Sequence, residues 1–367
     1  MQDQILDFGA DMLHRSTRKR VVIVDDSRSI RRWLRMVFEE DPRLVVVGEA
    51  GCALTARQVI KDTDPNVVTL DIEMPGMNGL EFLKKLMALR PMPVVMISGT
   101  TKRNSNAAIT ALTSGAVDCI LKPTSAPDAT THRDICRRVF AAACSTIHVD
   151  LAPARPSSAH VAQPSDQQMP LILIGASTGG VAALEHMLAA LHTAGPPVVI
   201  VQHMPGPFLV SFSNRLNKTL LQDVAVAQEG EALQAGQVRL APAQGQHTEI
   251  RRHDGRWSCA LVSRDPGSEH CPSVGVLFSS AQKHSPDIIA VILTGLGRDG
   301  ADGLLQLHQG GAQTIGQDEK SCVVYGMPRA AFEMGAVRQQ LPLDKIGDGI
   351  NHAVRRHAGA QNGQIIQ

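Results

Sequence analysis

The chain has 367 residues, more than one ordinary domain needs and about right for two. Lysine plus arginine number 36 against 35 acidic residues, a formal net charge of +1, so neither nucleic acid nor an anionic membrane surface is implied as a partner. Hydrophobic residues make up 43% and aromatic rings 3%, enough to bury real cores and too few rings for a single-strand stacking platform. No segment approaches the roughly 18 apolar residues of a transmembrane helix. The opening MQDQILDFGADMLHRSTRKR lacks the apolar centre of a signal peptide, so a cytoplasmic location without membrane insertion is expected. The cysteines at 52, 119, 136, 144, 259, 271 and 322 form no CxxC and read as reduced thiols. His253, Cys259, His270 and Cys271 match no standard ligand spacing, and no metal is expected there.

Residues 1–18 read as an N-terminal extension. RVVIV (20–24), LVVVGEA (44–50), NVVTL (66–70), PVVMI (93–97) and VDCIL (117–121) are short runs rich in β-branched residues. Such unbroken runs suit strands buried on both faces of a parallel sheet. Helical spacing lies between them, as in Ile30, Trp33, Leu34, Val37 and Phe38. One doubly wound α/β domain is predicted over 19–146, closed by a helix at 131–145. The proline-, serine- and alanine-rich stretch 147–169 then reads as a flexible linker. A second alternation starts at LILIG (171–175) and continues through PVVIV (197–201), DVAVA (223–227), QVRLA (237–241), DIIAVIL and AQTIG (312–316). Helices are predicted at 180–191, 206–217, 273–284, 300–309 and 344–357. This gives a second, mostly parallel α/β domain over 170–360.

In open α/β sheets functional groups gather at the carboxyl ends of strands. In the first domain those ends carry Asp25, Asp26, Asp71, Ser98 and Lys122. Converging carboxylates repel unless a hard cation sits among them, and all-oxygen ligation suits Mg²⁺. Asp71 could then serve as nucleophile towards a phosphoryl group, with Lys122 and Ser98 binding the phosphate. Singly, Asp25–Asp26 would read as helix-capping charge and Lys122–Pro123 as a turn. Five such residues at four strand ends argue for a site.

VDDS (24–27), LDIEMPGMNGLEFL (70–83), MIS (96–98) and LKP (121–123) resemble the receiver domain of two-component signalling, with its flavodoxin-like fold. The resemblance implies Asp71 as phospho-acceptor, Asp25 and Asp26 as the acidic pair, Ser98 as the hydroxyl switch and Lys122 as the phosphate partner. It further implies Mg²⁺ held by Asp25, Asp26, Asp71 and the backbone carbonyl of Glu73.

In the second domain, Gly175-Ala176-Ser177-Thr178-Gly179 fits G-x-S-x-G between a strand and a helix. A tight turn exposes the Ser177 hydroxyl, and the helix N-terminus favours a developing oxyanion. The competing reading, a dinucleotide phosphate loop, needs G-x-G-x-x-G and an acidic residue after the next strand; PVVIVQH ends instead in Gln202 and His203. His203 lies at the same sheet edge as Ser177 and is the expected base. The orienting carboxylate is expected to be Asp299, after the buried DIIAVIL run, with Asp302 one turn later as its rival; Asp223 and Asp287 open strands at the opposite edge.

IGASTGG (174–180), VQHMP (201–205), LTGLGRDGADGL (293–304) and QDEKSCVVYGMP (317–328) resemble the catalytic domain of the chemotaxis protein-glutamate methylesterases, which join it to a receiver. The resemblance implies a Ser177–His203–Asp299 triad without a cofactor for the esterase step, and an oxyanion hole with Leu296, where the family usually has Met, and Thr178 in support. It implies methyl-accepting chemoreceptors as substrate, a histidine kinase as phosphodonor, methanol as product and glutamine deamidation as a second activity. Cys271 and Gly275 replace the family's usual Arg and Asp in CPSVGVLF (271–278), a segment expected to shape the substrate mouth. A catalytically silent phosphate sink and a small-molecule esterase are the alternatives: the intact Ser177, His203 and Asp299 oppose the first, and the receiver opposes the second.

Overall fold

The computed structural model describes residues 18–99, 101–122, 129–147, 169–243, 245–264 and 269–364, the side chains of 102 and 360–364 aside. The expected N-terminal extension and linker therefore lie outside the described residues except at their edges, and so does Pro123.

The first sheet contains β1 (Lys19–Val24), β2 (Leu44–Ala50), β3 (Val67–Asp71), β4 (Val94–Ser98) and β5 (Asp118–Leu121). Its order is β2-β1-β3-β4-β5, parallel throughout. Helices α1 (Arg28–Glu39), α2 (Ala53–Thr63), α3 (Gly79–Leu89), α4 (Lys102–Thr113) and α5 (Ala129–Ala143) cover its faces. All residues of β3 and β4 are buried, which is why these strands read as unbroken apolar runs ending in a polar residue. Ser27 and Asn78 cap α1 and α3 through their side chains, so the chain turns sharply just after each functional strand end.

The second sheet is seven-stranded, in the order β14-β13-β12-β6-β7-β9-β8. It comprises β6 (Leu171–Ala176), β7 (Val198–Gln202), β8 (Asp223–Val226), β9 (Gln237–Leu240), β12 (Ile288–Ile292), β13 (Gln313–Gln317) and β14 (Gln339–Leu341), with every pairing parallel. Its helices are α6 (Gly180–Ala189), α7 (Gly206–Thr219), α8 (Val274–Ser280), α9 (Ala301–Gln309), α10 (Met327–Glu333) and α11 (Leu343–Gln364). The chain first winds from β6 towards β7 and later returns to lay β12 on the other side of β6. That reversal opens a crevice at the carboxyl end of β6, the usual location of a site in an open α/β sheet.

Two local expectations are corrected, and one unforeseen element is present. The single helix expected over 273–284 is α8 followed by a separate 3₁₀ turn, Gln282–Asp287, because His284 leaves helical geometry ahead of Pro286. The helix expected at 131–145 runs Ala129–Ala143. An antiparallel hairpin, β10 (Gln246–His253) and β11 (Arg256–Ser263), lies outside the main sheet. Its turn, Asp254–Gly255, has positive φ at both residues (49° and 78°), the twist that matches a two-residue hairpin.

The domains touch through α4, which packs against α6 and α7. Val323 of the second domain packs on the core beneath α1 and α5 of the first.

Candidate active site

Ser177 follows β6 at the crevice. Its N–H donates to Thr294 O (3.0 Å), and its carbonyl accepts from Gly180 N (2.8 Å), which folds the chain into the start of α6. Gly179 holds the turn at φ +80°, and a side chain there would collide with Val323. Gly295 is needed for close approach: a Cβ on it would lie 2.7 Å from Ser177 Cβ, so the backbone at Gly295, which leads into Leu296, runs against the serine. Leu296 is half-buried. Thr178 is buried, and its carbonyl accepts from Thr294 Oγ1 (3.0 Å).

His203 follows β7, next to β6 in the sheet, and its N–H donates to Ala176 O (3.0 Å). Asp299 comes from the loop after β12, on the other side of β6. His203 Nε2 and Asp299 Oδ2 are 2.8 Å apart. Asp299 also accepts from Val274 N (2.8 Å), Ser273 Oγ (2.8 Å) and Gly275 N (2.9 Å). Three of its four donors therefore belong to the start of α8, where a helix end favours negative charge. Burial pushes the Asp299 carboxyl up, but the His203 hydrogen bond and charge, with the Gly275 and Ser273 donors, outweigh it and hold the group well below the carboxylate range. An ionised carboxylate only accepts, so Nε2 carries the proton and Nδ1 is left to accept one. Asp302 is exposed, paired with Arg298 (3.3 Å), and is not brought to His203.

Gln202 and Ser273 were given no role from sequence, and His270 was weighed only as a metal ligand. Gln202 is buried, and its Nε2 donates to both Ser177 O (2.8 Å) and His203 O (3.1 Å), so one amide ties the two turns together. His270 stacks on His203 with centroids 4.6 Å apart. Burial first, and then the neighbouring His203, lower its pKa. Ser273 and Gly275 act through Asp299. Because Gly275 contributes its backbone N–H, this bond does not require the acidic side chain usual there. Cys271 Sγ donates to Gln246 O (3.2 Å), on the hairpin.

In the first domain, Asp25, Asp26 and Asp71 place carboxylate oxygens within 4.8 Å of one another. Lys122 Nζ lies 2.9 Å from both Asp25 and Asp71. One ammonium against three carboxylates leaves negative charge on an all-oxygen cluster, a set that fits a small hard divalent cation. Burial pushes the Asp71 carboxyl up to about 6, opposed by Lys122 and reinforced by Asp25. Burial lowers the Lys122 pKa, but its bonds to Asp25 and Asp71 leave it raised overall. Glu73 is exposed two residues past the end of β3, and its backbone bonds the Asp71 carboxylate. Ser98 is buried, with its hydroxyl donating to Gly99 O (3.2 Å).

The two sites meet through β5. Arg138 grips Asp118 with two bonds (2.6 and 2.8 Å), and Thr178 Oγ1 donates to Asp118 Oδ2 (3.3 Å). A cavity of about 350 Å³ remains between the domains, with Ser177 and His203 in its wall.

A doubly wound domain with a serine, histidine and aspartate at its switch point, preceded by an acidic-cluster α/β domain, defines a receiver-linked hydrolase. The chain matches the family models "CheB methylesterase" over residues 172–350 and "Response regulator receiver domain" over 21–133. A protein-glutamate methylesterase/protein-glutamine glutaminase of Agrobacterium fabrum is 48% identical over 91% of this chain and 96% of its own. A counterpart in Caulobacter vibrioides is 46% identical over 90% and 96%. The CheB methylesterase catalytic domain of Thermotoga maritima is 33% identical, covering 49% of this chain and 96% of that one, with a TM-score of 0.47. The chain belongs to the CheB methylesterase family, in its form with an N-terminal receiver.

Two outcomes follow from these geometries. Asp299→Asn is expected to lower kcat with KM little changed, because the amide favours the wrong imidazole tautomer, about 10⁴-fold in another triad. Asp302→Asn stays within about twofold of parent, consistent with an exposed pair worth under 1 kcal/mol; steady-state kinetics giving the reverse ranking would hand the role to Asp302. The second outcome concerns stability. A carboxyl whose folded pKa lies near 6, against 3.8 ordinarily, destabilises the fold increasingly as pH rises from about 4 to about 6 and fully above that. In metal-free buffer Asp71→Asn should therefore melt higher than parent at pH 8, with the gain vanishing near pH 4. A gain independent of pH, or a loss at pH 8, contradicts the assigned environment.

Proposed function

We propose that this protein hydrolyses glutamate methyl esters on chemoreceptors, and deamidates receptor glutamines, under the control of phosphorylation at Asp71. The observation that carries the reading is the His203–Asp299 hydrogen bond beside Ser177 at the switch point of the sheet. Ser177 Oγ attacks the ester carbonyl while His203 Nδ1 takes its proton. Asp299 keeps the ring oriented and stabilises the imidazolium. The backbone N–H at Leu296, in the loop beside Ser177, receives the oxyanion, with Thr178 supporting the turn. His203 returns the proton to the methoxy oxygen and methanol leaves. Water then attacks the acyl-serine, giving its proton to His203 and releasing the glutamate carboxylate. A side-chain amide enters the same sequence with ammonia as leaving group.

In the receiver, Asp71 takes the phosphoryl group from a histidine kinase. A Mg²⁺ ion held by Asp25, Asp26, Asp71 and the Glu73 carbonyl would neutralise charge that opposes the incoming phosphate. Lys122 pairs with that phosphate, and the Ser98 hydroxyl turns from Gly99 towards it. At rest the α4–β5–α5 face lies over Ser177, with Asp118 on Thr178, and blocks a receptor helix. Repacking of that face on phosphorylation opens the site. A tenfold change in open population takes only about 1.4 kcal/mol, comparable to one or two surface hydrogen bonds.

Methanol release from methylated receptor membranes tests this reading. Ser177→Ala should lose nearly all activity, on the scale of about 10⁶-fold for nucleophile loss in another serine hydrolase. A fragment beginning near Gln168 should outpace the unphosphorylated whole chain, and Asp71→Asn should hold the whole chain slow in the presence of phosphodonor. Retention of more than a few per cent activity by Ser177→Ala would remove the serine from the mechanism, and a fragment no faster than the resting chain would remove the receiver's inhibitory role.

A further inference from the structure

We infer that the resting, unphosphorylated protein is an esterase for small uncharged carboxylic esters, which bind in the cavity between the two domains. The inference rests on the Ser177–His203 chemistry proposed above and adds a substrate class that docking of the receiver leaves accessible.

The cavity measures about 350 Å³, within the roughly 300–1,000 Å³ of small-molecule sites. Ser177 and His203 both line it, so nucleophile and base share one cleft. Its walls come from both domains, which the Thr178–Asp118 bond joins beside Ser177. A receptor helix must part them to bring its ester to the serine, whereas a short acyl ester of a small alcohol need only enter the gap. The remaining wall is mainly apolar, with Leu112 and Val117 from the receiver and Ile147 at the start of the linker stretch facing Val181 and Phe208 from the catalytic domain. Its principal charges, Asp118 and Arg138, are closed on each other in a bidentate pair, and Asp118 also accepts from Thr178. Lys320 sits at the exposed edge. Asp318, the other carboxylate of the lining, is half-buried and accepts from Ser321 N (3.0 Å) and Ser321 Oγ (2.6 Å). Among the described residues the lining thus holds no buried cation left for an anionic ligand, and burying a charge without a partner is costly. Uncharged esters are the class that suits this lining.

The chemistry balances without a further reactant beyond water. Ser177 Oγ forms a bond to the carbonyl carbon and passes its proton to His203. The carbon–alkoxy bond breaks, and the alkoxy oxygen leaves with that proton as the alcohol. Water adds to the acyl carbon, its proton passes through His203 to Ser177 Oγ, and the carboxylic acid departs.

Hydrolysis of p-nitrophenyl acetate and butyrate by the full chain, with and without a small-molecule phosphodonor, tests the inference beside methanol release from methylated receptor. The resting parent should turn over both aryl esters while leaving receptor esters nearly untouched, and Ser177→Ala should abolish aryl-ester turnover. Ile147→Trp, at a half-buried position where the linker stretch begins, fills the cavity and should cut resting aryl-ester turnover at least tenfold. Phosphodonor should restore that variant to the parental rate on both substrate classes, because the receiver wall withdraws. Leu112→Phe, on α4, repeats the test should Ile147→Trp be inactive under both conditions. A resting parent inert to aryl esters, or one unaffected by both cavity-filling variants, overturns the inference while receptor demethylation by the phosphorylated chain leaves the proposed function standing. Absence of turnover on both substrate classes with phosphodonor present overturns the proposed function itself.

Discussion

Asp299 is the group on which the geometry of the second domain turns. A carboxylate this buried is tolerated only when its charge is answered, and four donors answer it: His203 Nε2, Ser273 Oγ and the N–H groups of Val274 and Gly275. The same charge thus holds the imidazole and caps α8. These elements are far apart in sequence and meet because β12 returns beside β6 while β7 lies on its other flank. Gln202 fixes the opposite side by bonding the carbonyls of Ser177 and His203. A shift of any one of the three loops breaks bonds in the other two, which is how a site built from loops is kept rigid.

The receiver brings its own clustered charge and a different device. Three carboxylates against Lys122 leave an excess of negative charge that a divalent cation would offset. The strand that supplies Lys122 begins at Asp118, which bonds Arg138 and reaches Thr178, the neighbour of Ser177. The acidic cluster and a contact beside Ser177 therefore sit at two ends of one short strand, β5. This is a physical route for coupling that needs no long relay, since a packed strand repositions as a unit.

Much of this was legible in the sequence because parallel α/β architecture writes itself as unbroken apolar runs with functional residues just after them. Ser177, His203 and Asp299 all follow such runs, as do Asp71, Ser98 and Lys122. Periodicity alone left Asp302 as a rival to Asp299; burial and the start of α8 separate them, and neither is visible in spacing. The β10–β11 hairpin carried an Asp-Gly turn signal at 254–255 that the helix–strand alternation overshadowed. Gln202 had no such signal, and His270 drew notice only as a poorly spaced metal ligand. A glutamine at the end of a buried strand reads as an ordinary terminus, and the stacking of His270 on His203 depends on a loop some seventy residues away in sequence. The break between α8 and the following 3₁₀ turn was equally hidden, because apolar spacing persists across it.

The central claim is that His203, held by Asp299, activates Ser177. Covalent labelling with an alkyl fluorophosphonate, mapped by peptide mass spectrometry, reads that activation at the nucleophile itself. The account predicts a single adduct on Ser177, formed about 10²–10⁴-fold more slowly in His203→Gln, the range of general-base assistance. An adduct on another residue, or labelling of Ser177 at an unchanged rate without His203, would contradict it.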